Sequence, residues 1–192
     1  MNKTQNLTFD QKRRKERIRT IIRRIIYLLC LFLSANIMWT LGGVMPLLMI
    51  PLTVSVAVFE PAMISAGFAC LAGLLLDTVT GSLFGFHGIL LLWTGLITSL
   101  LFTLFLRRHF LNVFFINAAA AAIICLLRYL FFSSIWGYDP NGLIFKNFYI
   151  PMFFLTSLFL VPIYYLIKLL GKVLGKIDDV KIEEKSEDIV RE

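Results

Sequence analysis

Charge is what this chain lacks through its middle. Between Arg24 and Lys168 the charged residues are only Glu60, Asp77, Arg107, Arg108, Arg128, Asp139 and Lys146. The uncharged stretches run for 35 residues before Glu60, 29 between Asp77 and Arg107, 19 between Arg108 and Arg128, and 21 between Lys146 and Lys168. A bilayer core about 30 Å thick is crossed by about 20 apolar residues of helix. With 58% hydrophobic residues, 16% charged and 18 Phe, the composition excludes an ordinary soluble domain and points to an integral membrane protein.

Cysteine is also scarce. Cys30, Cys70 and Cys125 each lie inside an apolar run without metal-ligand or disulfide spacing, and read as small packing residues. There is no Asp-rich metal motif, no His-Glu-x-x-His, no Gly-x-Ser-x-Gly and, in the apolar region, no carboxylate pair at helical spacing. The two histidines, His87 and His109, read as polar surface residues rather than a catalytic set. The expectation is therefore a protein that is not an enzyme and needs no cofactor or metal.

Acids are outnumbered, 12 against 19 Lys and Arg, for a net charge of +7. Most of the excess sits in residues 1–24, which hold nine basic residues and two acids. Directly ahead of an apolar run, such a block is a cytoplasmic topogenic signal lying against anionic lipid, not a nucleic-acid surface. No small-x-small cleavage site follows, so residues 25–42 read as a first transmembrane helix rather than a signal peptide.

The sequence predicts an all-α polytopic membrane protein with six transmembrane helices at about 25–42, 44–59, 62–79, 84–106, 110–132 and 148–167. Three segments follow: a basic cytoplasmic stretch 1–24, a membrane domain 25–176, and a charged tail 177–192. The second span is short and carries Pro46 and Pro51, which marks it as kinked, tilted or partly re-entrant. Six crossings put Arg13, Arg14, Arg23 and Arg24, then Arg107 and Arg108, then Lys168 and Lys172 on one side. By the positive-inside rule that side is cytoplasmic, as are both termini. Trp39, Trp136 and Tyr138 then fall at the outer interface, and Tyr27, Tyr164 and Tyr165 near the inner one. The tail carries seven acids from Ile177 onward and reads as a solvated extension, with contact to a cytoplasmic partner as the other reading.

The segment GLLLDTVTGSLFGFHG, residues 73–88, departs most from a plain span. Its Asp77 is the only carboxylate between Glu60 and Asp139. Thr80 or Ser82 is placed to cap the following helix, and Gly81, Gly85 and Gly88 suit a tight turn and close backbone approach. Upstream, Ala66, Gly67, Ala69, Cys70, Ala72 and Gly73 form a small-residue face at three- and four-residue spacing. Two readings stand: an acidic capped turn between packed helices, or a partner or ligand site, since intramembrane carboxylates are costly. Arg128 is the one basic residue inside an apolar run. It either pairs with Asp77, at a similar depth, or reaches outward to lipid headgroups.

An apolar helix ending in GLLLD, followed by a Thr/Ser-Gly turn, a Gly-x-x-Gly step and a long apolar helix, resembles the bacterial rod shape-determining protein MreD family. The specific part of the likeness covers residues 60–92, with Phe68 through Asp77, Gly81 and Gly85 in the matching positions; the general organisation covers 20–175. His87 and the long basic leader depart from the family pattern. The resemblance implies a non-enzymatic plasma-membrane subunit of the cell-elongation machinery, or rod complex. Such a subunit binds an MreC-like bitopic partner and helps couple the MreB cytoskeleton to peptidoglycan polymerase and transpeptidase, and so to cell shape. It also implies a fold like the substrate-binding S components of energy-coupling-factor vitamin transporters.

Three function classes are weighed: the morphogenetic scaffold, a vitamin-binding transporter subunit, and a membrane enzyme. The second needs a polar and aromatic pocket, for which Asp77, His87, Trp93, Trp136, Tyr138 and Asn141 are candidates. Its first helix lacks the Ala-x-x-x-Ala docking pattern, with Ser34 and Ala35 a weak substitute. The scaffold ranks first.

Overall fold

The computed structural model describes residues 2–40, 46–135 and 142–173. The Gly42–Gly43 turn, Trp136, Tyr138, Asp139, Asn141, Lys176 and the tail lie outside the described residues, as does the side chain of Arg13. The described chain is helical throughout: α1 (Asn2–Thr40), α2 (Met49–Phe59), α3 (Ala62–Thr80), α4 (Phe86–Leu104), α5 (Phe110–Tyr129) and α6 (Ile150–Val173). A π-helical turn, Leu130–Ser134, continues α5, and another, Phe145–Tyr149, leads into α6.

Five stretches are long and apolar enough to cross a membrane: Arg17–Thr40, Ala62–Thr80, Phe86–Leu104, Phe110–Ser133 and Phe145–Val173. Large apolar side chains such as Leu29, Met63, Trp93, Phe115 and Leu158 face outward along them. A chain with five such helices and such an exterior is a multi-pass membrane protein. The predicted second span differs: α2 has 11 residues, about 16 Å of helix and half a bilayer core.

Residues of α1 up to Leu28 and of α6 from Leu166 group in one compact unit, and Leu29–Tyr165 in a second. In the first unit Tyr27 and Ile167 are buried while Arg14, Lys168 and Lys172 are exposed; Arg23 is buried and Arg24 half-buried. Tyr27 is thus a packing residue in this unit.

In the second unit α2 is the core. Every residue from Met49 to Val58 is buried, as an all-round apolar helix requires. It begins beside the interior of two longer helices. The Leu47 N–H donates to Thr156 Oγ1 of α6 at 3.0 Å, and the Ser34 hydroxyl of α1 lies 3.7 Å from Met49 Sδ. Pro51 falls in its first turn, where the missing N–H would have no helical partner anyway. At the other end the Glu60 carbonyl accepts from Ser99 Oγ at 2.8 Å. Val54 and Val58 pack with Phe102, Val113, Leu160 and Tyr164, so Tyr164 belongs to this core and not to an interfacial belt; Tyr165 is exposed. Arg107 is exposed and Arg108 half-buried in the connection from α4 to α5.

Candidate functional site

Among the described residues, α3 and α4 share the most extensive helix–helix contact. A Cβ added to Gly73 would lie 2.4 Å from the His87 carbonyl oxygen and 2.5 Å from Gly88 Cα. One added to Gly95 would lie 2.6 Å from Ala69 Cβ. Backbones that touch at these two points leave no room for side chains between the helices. The Ser65 hydroxyl completes the contact by donating to the Gly95 carbonyl at 3.0 Å.

The rest of the expected small-residue set divides. Ala66, Ala69, Ala72 and Gly73 are buried, and Cys70 is half-buried. Gly67 is exposed with nothing within 4 Å of its Cβ position. Gly81 and Gly85 also face open space; they serve the turn, with φ of +62° and +95° that favour glycine. A Cβ added to Gly88 would meet the Leu74 side chain at 3.1 Å.

Asp77 joins the two helices across that turn. Its backbone carbonyl accepts the N–H groups of Gly81 and Ser82, closing α3. Its carboxylate opens α4: Oδ2 accepts from Gly85 N–H at 2.8 Å and Gly88 N–H at 3.4 Å, and Oδ1 from His87 N–H at 3.1 Å. The His87 ring adds a fourth donor, with Nδ1 at 2.6 Å from Oδ1. A carboxylate held by orphan N–H groups at a helix N-terminus sits where the partial positive charge is greatest. Both side chains are out of solvent, Asp77 at 1% and His87 at 0% exposure.

Three sequence-based expectations are corrected here. The helix cap is Asp77, eight to eleven residues ahead of the groups it binds, and not Thr80 or Ser82. Those hydroxyls instead lie 2.5 Å from each other, with Thr80 also bonded to the Leu76 carbonyl. His87 is buried, not a surface residue. Of the two readings of Arg128, the pairing with Asp77 is not formed: the side-chain partner of Asp77 among the described residues is His87. The signal missed was the ten-residue spacing: a chain that reverses through two glycines brings a position before the turn back against one just after it.

Arg128 lies elsewhere, facing α6. It is half-buried, its interaction partner is the Tyr149 phenol, and its Nη1 is buried without a hydrogen-bond partner. Asp77 acts on it only through longer-range attraction. Both helices widen at this level: Ile135 N–H bonds the Leu130 carbonyl five residues back, and Ile150 N–H the carbonyl of Phe145. The Tyr129 ring lies 4.9 Å from Phe145 and 5.5 Å from Tyr149. Below it an apolar cleft of about 290 Å³ is lined by Ala122, Cys125, Leu126, Phe145, Tyr149, Ile150 and Phe153.

No group of three His, Cys, Asp or Glu side chains able to hold a metal converges among the described residues. Of the residues considered for a polar pocket three are described: Asp77 and His87 face each other in the core, while Trp93 is exposed on α4. No family of known proteins, no curated protein and no solved structure matches the chain.

Proposed function

We propose that the protein is a non-enzymatic packing subunit of the rod complex, similar to MreD, that receives the single transmembrane helix of an MreC-like partner. The observation that supports this reading is the exposed Gly67. The α3–α4 hairpin, which covers the segment of resemblance, presents Met63, Gly67 and Leu71 outward on one helical face. Gly67 leaves the α3 backbone open between two apolar side chains, the form of notch that lets a partner helix approach closely in lipid. Behind it, Gly73, Gly95 and the Asp77 turn hold the hairpin in one shape, so the notch is preorganised. In the same reading the chain from Pro46 through the half-helix α2 makes the sixth crossing. It places both termini on the cytoplasmic side of the plasma membrane.

Co-purification with an MreC-like bitopic partner from a co-expressing strain tests the proposal. Gly67→Leu fills the notch without touching the hairpin interior, and is expected to reduce recovery of the partner at least tenfold with expression and thermal stability unchanged. Equal recovery would overturn the reading. Co-purification instead with ATPase and transmembrane coupling subunits would favour the alternative, a vitamin-transporter substrate-binding subunit.

A further inference from the structure

The isolated cation on α5 and the cleft beneath it belong together. Arg128 follows Cys125 by one turn of helix and hydrogen-bonds Tyr149, and both Cys125 and Tyr149 line the cleft. Going inward from Arg128, α5 contributes Leu126, Cys125 and Ala122; going inward from Tyr149, α6 contributes Ile150 and Phe153. These two helices run in opposite directions from a shared end, where Tyr129 meets Phe145 and Tyr149. The cleft is therefore an apolar body directed toward the middle of the spans, with Arg128 one helical turn beyond Cys125 on the side of the helix ends.

Among the described residues no carboxylate pairs with Arg128: Asp77 acts on it only at longer range, and the Asp77 oxygens are committed to His87 and to three backbone N–H groups. Tyr149 supplies a phenol, not a negative charge. The part of this half-buried guanidinium that stays open calls for an anion with several acceptor oxygens, and phosphate fits its fork geometry best. A cleft of about 290 Å³ with an entirely apolar lining continues from that point along the helices, at the small end of ligand-sized pockets.

We propose that the α5–α6 cleft binds one anionic phospholipid, with its phosphate on Arg128 and Tyr149 and one acyl chain along Ala122, Cys125, Ile150 and Phe153. The headgroup then lies at the depth where lipid headgroups already are, and the chain enters the cleft from the bilayer. The wide π-helical turns on both sides open the helices at the level of the headgroup, where such turns recur at binding sites. This site is separate from the Gly67 notch, and its test does not depend on the partner proposed above.

Native mass spectrometry of the full chain in detergent, titrated with phosphatidylglycerol, reads the site directly. The expected result is one phosphatidylglycerol retained at least tenfold more strongly than phosphatidylcholine of the same chain length. Arg128→Gln should reduce retention at least tenfold, and Ala122→Phe, which fills the cleft but keeps the charge, should do the same. Ile97→Ala, on the exposed face of α4, a helix that does not line the cleft, should leave retention unchanged. If Arg128→Gln does not purify as a folded protein, Arg128→Lys, which keeps the charge, should retain the lipid while Ala122→Phe loses it. Undiminished retention in Ala122→Phe, or equal retention of the two lipids, overturns the proposal. Binding of inorganic phosphate that competes with the lipid and survives Ala122→Phe would assign Arg128 to a free anion and overturn it too.

Discussion

Asp77 serves three groups at once: the end of α3, the start of α4 and the His87 ring. Removing its carboxylate in Asp77→Ala leaves buried donors on Gly85, His87 and Gly88 without partners. A loss of about 3–5 kcal/mol is expected, as for breaking a buried pair by one member, read as thermal unfolding in detergent. A double-mutant cycle separates its partners. Asp77 and His87 should couple by about 1 kcal/mol or more, whereas Asp77 and Arg128 should be additive within about 0.5 kcal/mol; a larger second coupling would contradict the assignment of His87. The glycines give an equally sharp contrast. Gly73→Ala drives a Cβ into the His87 carbonyl and should cost at or above the upper end of the about 1–3 kcal/mol usual for overpacking. Gly67→Ala, facing open space, should stay within about 0.5 kcal/mol of the parent. The importance of Asp77 and of Gly73 was legible in the sequence, because a lone carboxylate and a small-residue face are local signals. The role of His87 was not. A buried histidine looks like a surface one until the chain reversal that delivers it to a carboxylate is known.

At the level of elements, the apolar runs located α3, α4 and α5 to within about three residues, because membrane thickness sets a length that sequence alone can be measured against. By contrast, α1 extends back through the basic segment to Asn2 and α6 on to Val173. α6 starts earlier than expected, its helical path reaching back through Phe145–Tyr149. α2 was the departure. Two prolines hinted at an irregular crossing, but the point where helix begins depends on Thr156, 109 residues further on, and no local pattern carries that. The Thr156 hydroxyl accepts the Leu47 N–H and donates to the Met152 carbonyl at 2.7 Å, standing in for the side-chain cap that Leu48 does not provide. Thr156→Val keeps the shape and removes the acceptor, leaving a buried N–H unsatisfied. Destabilisation by about 1–3 kcal/mol is expected, with Thr156→Ser close to the parent. Equal stability of Thr156→Val and Thr156→Ser in denaturation curves would show that the bond contributes nothing to seating α2.

For the whole molecule, the sidedness expected from the basic residues is open to a direct measurement. A reporter fused after Lys176 should be active only in a cytoplasmic format, and one inserted near Asn141 only in an external format. The opposite result at either site would remove the six-crossing topology. The half-helix has one more consequence, for synthesis. Eleven residues are too few to be released into lipid as an independent span, and their polar backbone ends need partners that the bilayer does not offer. Those partners, Ser99 for the carbonyl after α2 and Thr156 for the amide before it, are translated about 40 and about 110 residues later. While α3 to α5 emerge, the α2 segment must wait at the translocon or the membrane surface. Assembly of the buried centre is therefore completed from the C-terminal end of the chain, and nascent chains stopped before Thr156 should remain open to proteolysis around Pro46–Pro51 after full-length chains have become resistant.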